Sequence, residues 1–317
     1  METMPKPKVI ADGPLAPQMT AQLNEHVEIL PWQVALQGSA EPVAGIYTYG
    51  HPRVDGAMLD RLTGVRIISN YGVGVDHIVL ADAAARKIPV ANTPGVLDGA
   101  CADMAFALLL ASARRLVEGD RYARSPEFTV YDPGYMLGRE VHGATIGIVG
   151  MGRIGRQIAQ RARGFDMNVL YHNRRARTEG DVALQARYVS LDELLKESDY
   201  VVLSVPLSTE TRGLIGSAQL ALMKPTATLV NVARGPVVDT AALTTALAER
   251  RIYSAALDVT DPEPLPRGHP LLALDNVTIV PHLGSATAQT RQQMADISIE
   301  NLLRGLRGEP LLFEVKV

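Results

Sequence analysis

The stretch Ile146-Gly-Ile-Val-Gly150-Met-Gly152-Arg153-Ile154-Gly155 constrains this chain more than any other. It sets G-x-G-x-x-G between a short apolar run and a segment in which Ile154, Ile158 and Ala162 share one helical stripe. Each glycine has a physical duty. Gly150 permits a tight turn, Gly152 lets a pyrophosphate approach the backbone, and Gly155 allows helix and strand to pack closely. The helix start then offers N–H groups and the positive end of its dipole to phosphate. In a strand–turn–helix setting the motif reads as dinucleotide binding rather than as a packing turn.

The rest of the chain repeats this alternation. Residues 8–11, 43–47, 65–69 and 89–91 read as strands, with 60–63 and 81–86 in the helices between them. A second set, 145–149, 168–171, 200–205, 228–232, 254–259 and 277–280, is apolar on both faces, as buried parallel strands are. Two features mark a boundary near residue 100: the turn cluster Asn92-Thr93-Pro94-Gly95 and the nearly all-apolar helix of 103–114. A final helical stretch, 287–306, is followed by Gly308. The expected class is α/β, with two doubly wound parallel-sheet domains. A Rossmann dinucleotide-binding domain over 101–285 is inserted into a discontinuous domain over 1–100 and 286–317.

Composition narrows the function classes. At 47% hydrophobic and 21% charged, the 317 residues have globular proportions. A net charge of −3 argues against nucleic acid as a partner, since neutralising phosphates needs a basic surplus. The N-terminus lacks the apolar core of a signal peptide, and the most apolar stretch, 104–111, is too short for a membrane span. Cys101 is the only cysteine, so no internal disulfide forms. A soluble cytoplasmic protein is expected. Metal is not indicated, because no H-E-x-x-H or C-x-x-C spacing occurs, and there is no G-x-S-x-G elbow.

The strand after the glycine motif ends His172-Asn173-Arg174-Arg175. An NAD-type site places Asp or Glu there, about 20 residues past the glycines, to accept from the ribose 2′-hydroxyl. Asn173 carries no charge, and Arg174 and Arg175 can pair with a 2′-phosphate. The expected cofactor is NADP, with NADPH preferred and NAD as the lesser alternative. The competing reading is a solvated basic loop.

Ligands of open α/β sheets bind beyond the carboxyl ends of the strands. Three successive strand ends of the second set carry polar groups: Asn231-Val-Ala-Arg234-Gly235, Leu257-Asp258-Val259-Thr-Asp261-Pro-Glu263 and Val280-Pro281-His282-Leu283-Gly284. Each alone could be a cap, a turn acid or a core histidine. All three beside a cofactor motif point to chemistry. The other six histidines sit in no comparable constellation.

These motifs resemble the D-isomer-specific 2-hydroxyacid dehydrogenases along essentially the whole chain. The resemblance is greatest to the glyoxylate/hydroxypyruvate reductase branch, which includes plant hydroxyphenylpyruvate reductases. It is carried by Asn70-Tyr-Gly-Val-Gly-Val-Asp76, Asn92-Thr-Pro-Gly95, Gly150 to Gly155, Asn231-Val-Ala-Arg-Gly235, Leu257-Asp-Val259 and Pro281-His282. It implies a flavodoxin-like substrate domain and NADPH-dependent reduction of small 2-keto acids. Arg234 would bind the keto acid, His282 would be the general acid/base, and Glu263 would hold its imidazole. Asp258 would meet the nicotinamide carboxamide, and the N–H groups of Val73 and Gly74 would hold the substrate carboxylate. The cofactor contacts implied extend to Arg153, Ile154, Val205, Pro206, Thr211, Val232, Ala233 and Gly284, with a homodimer as the assembly. Asp261 competes with Glu263 for the imidazole, because Thr260-Asp261 stands where the family often has an aromatic residue and Glu. Alternatives are a corepressor-like dinucleotide sensor without turnover, or a reductase of bulkier keto acids such as hydroxyphenylpyruvate or 2-ketogluconate. An enzyme of the same fold acting on phosphite or formate is a more remote one.

Overall fold

The computed structural model describes residues 5–176 and 184–316. The chain separates into two compact units, one of residues 1–97 with 287–317 and one of residues 98–286.

The first unit holds five parallel strands: β1 (Lys8–Ala11), β2 (Glu28–Pro31), β3 (Gly45–Thr48), β4 (Ile67–Asn70) and β5 (Val90–Ala91). Their order is β2-β1-β3-β4-β5, the flavodoxin-like arrangement. One face buries Ile10, Ile46 and Ile68 against Val54, Met58 and Ile78. The other is covered by the helix Ala288–Arg307, whose Ser298 shares a 2.6 Å hydrogen bond with the buried Tyr47 hydroxyl. That helix starts where the Thr287 side chain accepts from Thr290 N–H (3.1 Å) and stops at Gly308, which takes φ 71°. Its buried positions, Met294, Ser298, Leu302 and Gly305 among them, recur at helical spacing.

The second unit holds seven parallel strands: β6 (Thr145–Val149), β7 (Asn168–His172), β8 (Ala186–Tyr188), β9 (Tyr200–Leu203), β10 (Thr228–Asn231), β11 (Ser254–Leu257) and β12 (Val277–Ile279). Their order, β12-β11-β10-β9-β6-β7-β8, reverses direction at β6, which makes the edge beside it the switch point. Successive residues serve opposite faces. Ile146, Ile148, Val202 and Val230 pack with the helix Asp98–Ala113, while Val149, Val201, Leu203 and Leu229 pack with Leu194, Leu220 and Leu243. Both faces are therefore covered, and the strands read as continuous apolar runs. The expected pair of doubly wound parallel sheets is what the structure shows.

Several expectations are corrected. Residues 60–63 are not helical; the helix is Gly56–Leu59, started by the Asp55 carboxylate accepting from Met58 N–H at 3.1 Å. β2 and β8 carry no continuous apolar run and were not expected. Both are sheet edges, where Glu28, Pro31, Arg187 and Tyr188 stand exposed. Because β8 adds a strand, the three polar ends follow the fifth, sixth and seventh strands of this sheet rather than the fourth to sixth. The runs 200–205 and 254–259 leave the sheet at Leu203 and Leu257; each strand ends just before a polar residue, Ser204 or Asp258, and the following Val205 and Val259 lie in loops. Among the described residues no helix is long and apolar enough to cross a membrane, and no group of His, Cys, Asp and Glu could hold a metal ion.

Candidate active site

The glycine turn after β6 is built as its sequence requires. Gly150 sits at φ 103°, and a Cβ there would lie 2.9 Å from the Ser204 backbone after β9. Ser204 donates to the Gly150 carbonyl at 2.7 Å and locks the turn. Gly152 opens the helix Arg153–Arg163 without a side-chain cap, and a Cβ on it would meet nothing within 4 Å. A helix start with uncapped N–H groups and open space above it fits a pyrophosphate.

Beside this turn lies a cleft of about 830 Å³, wholly within the second unit. Gly150, Gly152, Asn173, Arg174, Arg175, Val205, Pro206 and Thr211 line it. Its volume and its glycine floor fit a dinucleotide. Arg153, Ile154, Gly155, Val232, Ala233, Arg234, Asp258, His282 and Gly284 do not line it. Asn173 faces inward: its side-chain oxygen accepts from Met151 N–H at 2.7 Å, tying the end of β7 to the glycine turn. Arg174 is held by Glu210, Nη1 to Oε2, at 3.0 Å on an exposed wall. Sequence reasoning missed Glu210, Met151 and His172 as cleft residues. Glu210 lies in a loop after β9 with no motif around it, and only the fold brings it to Arg174.

The three polar strand ends lie on adjacent strands, β10, β11 and β12. After β10, the Asn231 side chain braces the turn, accepting from Ala233 N–H (3.0 Å) and donating to the Arg234 carbonyl (3.0 Å). Arg234 is half-buried and donates through Nη1 to Ala233 O at 2.8 Å. A Cβ on Gly235 would collide with the Thr260 carbonyl, so this turn seats against the loop after β11 only with glycine there.

That loop carries Glu263, whose Oε1 lies 2.7 Å from His282 Nδ1. Its second oxygen accepts from Thr260 N–H at 3.4 Å. Among the described residues the Asp261 carboxylate makes no bond to His282; the Asp261 backbone carbonyl accepts from Thr240 Oγ1. His282 takes φ 54°, a left-handed conformation for a non-glycine residue. It is held there from Asp258. The Asp258 carbonyl accepts from His282 N–H at 2.9 Å, and the carboxylate accepts from Leu283 N–H (2.6 Å) and Gly284 N–H (3.0 Å). Asp258 is only 3% exposed. Burial raises its pKa above the ordinary carboxylate value, and the bonds from Leu283 and Gly284 act against that rise.

The structure thus brings Asp258, Glu263, His282 and Gly284 together and sets Arg234 on the neighbouring strand end. Val73 and Gly74 follow β4 in the other unit. The geometry suits proton transfer: an imidazole oriented through Nδ1 by a carboxylate can serve a reacting oxygen with its other nitrogen, Nε2.

Comparison with known proteins bears on this arrangement. Residues 106–284 match the family described as D-isomer specific 2-hydroxyacid dehydrogenase, NAD binding domain. The chain is 44% identical over 315 residues to the glyoxylate reductase of Thermococcus gammatolerans, covering 96% of this chain and 94% of that one. The glyoxylate reductase of Pyrococcus furiosus gives the same identity and coverage. Among solved structures, the NADPH-dependent glyoxylate/hydroxypyruvate reductase of Sinorhizobium meliloti, in complex with NADP and malonate, superposes with a TM-score of 0.90. It is 31% identical, over 98% of this chain and 97% of that one. A protein from Thermus thermophilus superposes with a TM-score of 0.88 at 42% identity, over 98% of this chain and 100% of its own.

Proposed function

The chain belongs to the D-isomer specific 2-hydroxyacid dehydrogenases, NAD(P)-dependent oxidoreductases, and we propose that it reduces small 2-keto acids, glyoxylate and hydroxypyruvate foremost, with NADPH. The observation that carries the reading is the 2.7 Å contact of His282 Nδ1 with Glu263 Oε1, on the same sheet as the glycine-turn cleft. The relatives named for glyoxylate reduction support the substrate class.

The reduced nicotinamide supplies the hydride when bound. His282 gives a proton through Nε2 to the carbonyl oxygen of the keto acid. Glu263 holds the imidazole in place and balances its positive charge while it is protonated. Arg234 pairs with the substrate carboxylate and polarises the carbonyl, a task suited to a fixed guanidinium fork. Val73 and Gly74, in the unit we assign to substrate, give backbone N–H groups to the carboxylate. The unit of residues 98–286 takes the dinucleotide, its pyrophosphate on Gly152 and the following helix start. Val205, Pro206 and Thr211 supply a wall of that site.

NADPH preference rests on Asn173, Arg174 and Arg175. With no carboxylate at Asn173 to repel it, a 2′-phosphate would take the place of Glu210 on Arg174. A charge-assisted bond of about 1.5–3 kcal/mol corresponds to roughly 10–100-fold in affinity. Steady-state assays with glyoxylate, hydroxypyruvate and hydroxyphenylpyruvate, each with both cofactors, should give the higher kcat/KM with NADPH and the two smaller acids. Asn173→Asp with Arg174→Ala should move the preference towards NADH. An equal or higher kcat/KM with NADH in the unaltered protein defeats the cofactor assignment.

The homodimer is proposed on the segment 116–137, which exposes Leu116, Phe128, Val130, Tyr131, Tyr135 and Leu137. Light scattering on the eluting protein should give twice the chain mass. A value near 34.1 kDa would remove the proposal.

A further inference from the structure

In the first unit, residues 71–74 follow β4, and all four of their carbonyl oxygens accept hydrogen bonds from behind. Thr93 Oγ1 donates to Tyr71 O at 2.8 Å. Asn70 Nδ2 donates to both Gly72 O (2.8 Å) and Gly74 O (2.9 Å). Asn92 Nδ2 donates to Val73 O at 2.8 Å. The donors are themselves fixed. Thr48 Oγ1 donates to Asn70 Oδ1 at 2.8 Å, which sets the direction of that amide. Asn70 and Thr93 are buried. The Asn92 backbone is strapped to the C-terminal tail through its N–H, which donates to Phe313 O, and to the helix Ala288–Arg307 through its carbonyl, which accepts from Asn301 Nδ2, each at 3.3 Å.

Across a trans peptide, the C=O of one residue and the N–H of the next point in opposite directions. Each pinned carbonyl, of Tyr71, Gly72 and Val73, therefore turns the N–H that follows it, of Gly72, Val73 and Gly74, away from the side chain that holds it. Those three N–H groups take no partner among the described residues. Converging N–H groups make a concavity suited to an anion. Held in advance, they need no reorganisation when the anion arrives.

We infer that Asn70, Asn92 and Thr93 are positioning residues that hold the N–H groups of residues 72–74 ready for the carboxylate of the 2-keto acid, an inference that rests on the assignment of Val73 and Gly74 to that carboxylate. None of the three side chains touches substrate. Each acts through a carbonyl of the loop, so losing one loosens carboxylate binding before it affects the chemical step.

The test uses the full-length protein saturated with NADPH and oxalate as an unreactive carboxylate probe. Hydrogen–deuterium exchange of the amides of residues 72–74 is measured with and without oxalate, and the oxalate Kd is measured for the wild type, Asn92→Ala and the shape-preserving Thr93→Val. Oxalate should slow exchange at these amides in the wild type. Each variant should raise the oxalate Kd and the glyoxylate KM about tenfold, as the loss of one fixing hydrogen bond implies, with kcat changed less and the NADPH Kd unchanged. No protection in the wild type would overturn the assignment of Val73 and Gly74 and this inference with it. Protection in the wild type with unaltered oxalate affinity in both variants would leave that assignment standing and overturn the inference alone. A lower kcat and melting temperature at unchanged KM would mark the residues as merely structural and also overturn it.

Discussion

Each unit contains the same device at the carboxyl end of its sheet, and the two differ in what the adjoining imidazole is seen to meet. In the first unit Asp12 follows β1, is 7% exposed, and accepts from Tyr49 N–H and Gly50 N–H (2.7 Å) past β3. In the second, Asp258 follows β11 and accepts from Leu283 and Gly284 N–H past β12. A histidine adjoins the gripped pair in both and takes a left-handed backbone, His51 at φ 63° and His282 at φ 54°. A left-handed L-residue costs roughly 1–2 kcal/mol, which hydrogen bonds to a buried carboxylate can offset, at about 1.5–3 kcal/mol each. What differs is the imidazole's neighbour. His51 meets the ring of His77 edge-on at 5.0 Å between centroids. His282 meets the Glu263 carboxylate at 2.7 Å. A buried aspartate can thus set the course of a backbone in either sheet, and the Glu263 contact at Nδ1 is the feature that fits the acid–base role proposed for His282.

Turnover should set the two histidines furthest apart. His282→Asn should lower kcat by about 10²–10⁴-fold, the usual worth of general acid–base catalysis, while the NADPH Kd stays put. His51→Asn should leave kcat within roughly threefold, as loss of a group outside the chemical step implies. Equal losses in the two variants would erase the distinction. The carboxylates sharpen it: Glu263→Gln should cut kcat more than Asp261→Asn, and the reverse order would hand the imidazole to Asp261.

A smaller effect tests the aspartate grip itself. A Cβ on Gly284 would stand 2.8 Å from Asp258 Oδ2 and 3.4 Å from Cys101 Sγ, whereas one on Gly50 would stand 3.0 Å from Asp12 Oδ2. Gly284→Ala should destabilise by about 1–3 kcal/mol in urea unfolding, and Gly50→Ala by less. If Gly50→Ala costs more, the tighter grip is in the first unit.

The smallest effect is in pH dependence. Burial is the first cause raising the pKa of both Asp12 and Asp258, with their backbone N–H bonds opposing it. Between the ordinary carboxylate value and the raised one, the folded state keeps protons that the unfolded chain has released. Stability contributed by these groups is therefore lost as pH rises through that window. Melting temperatures of Asp12→Asn and Asp258→Asn should fall less steeply with rising pH than those of the unaltered protein. Parallel slopes would show that neither aspartate titrates with folding.

Local residue patterns were enough to read the α/β class, the two strand sets and the glycine turn. Those depend on local period and on glycines whose backbone demands are visible one residue at a time. The sequence also marked Arg234, Asp258 and His282, because polar groups ending apolar strands stand out. It could not choose between Asp261 and Glu263, since both lie within one loop and either could reach. The path of that loop, seated on Gly235, decided in favour of the Glu263 contact. Edge strands β2 and β8 escaped notice because exposed strands lack the continuous apolar run that betrays buried ones. Glu210 on Arg174 and the Asn70, Asn92 and Thr93 bonds behind residues 71–74 belong to tertiary structure alone. Each joins positions far apart in the chain or fixes a backbone direction, and no periodicity records which way a peptide plane faces.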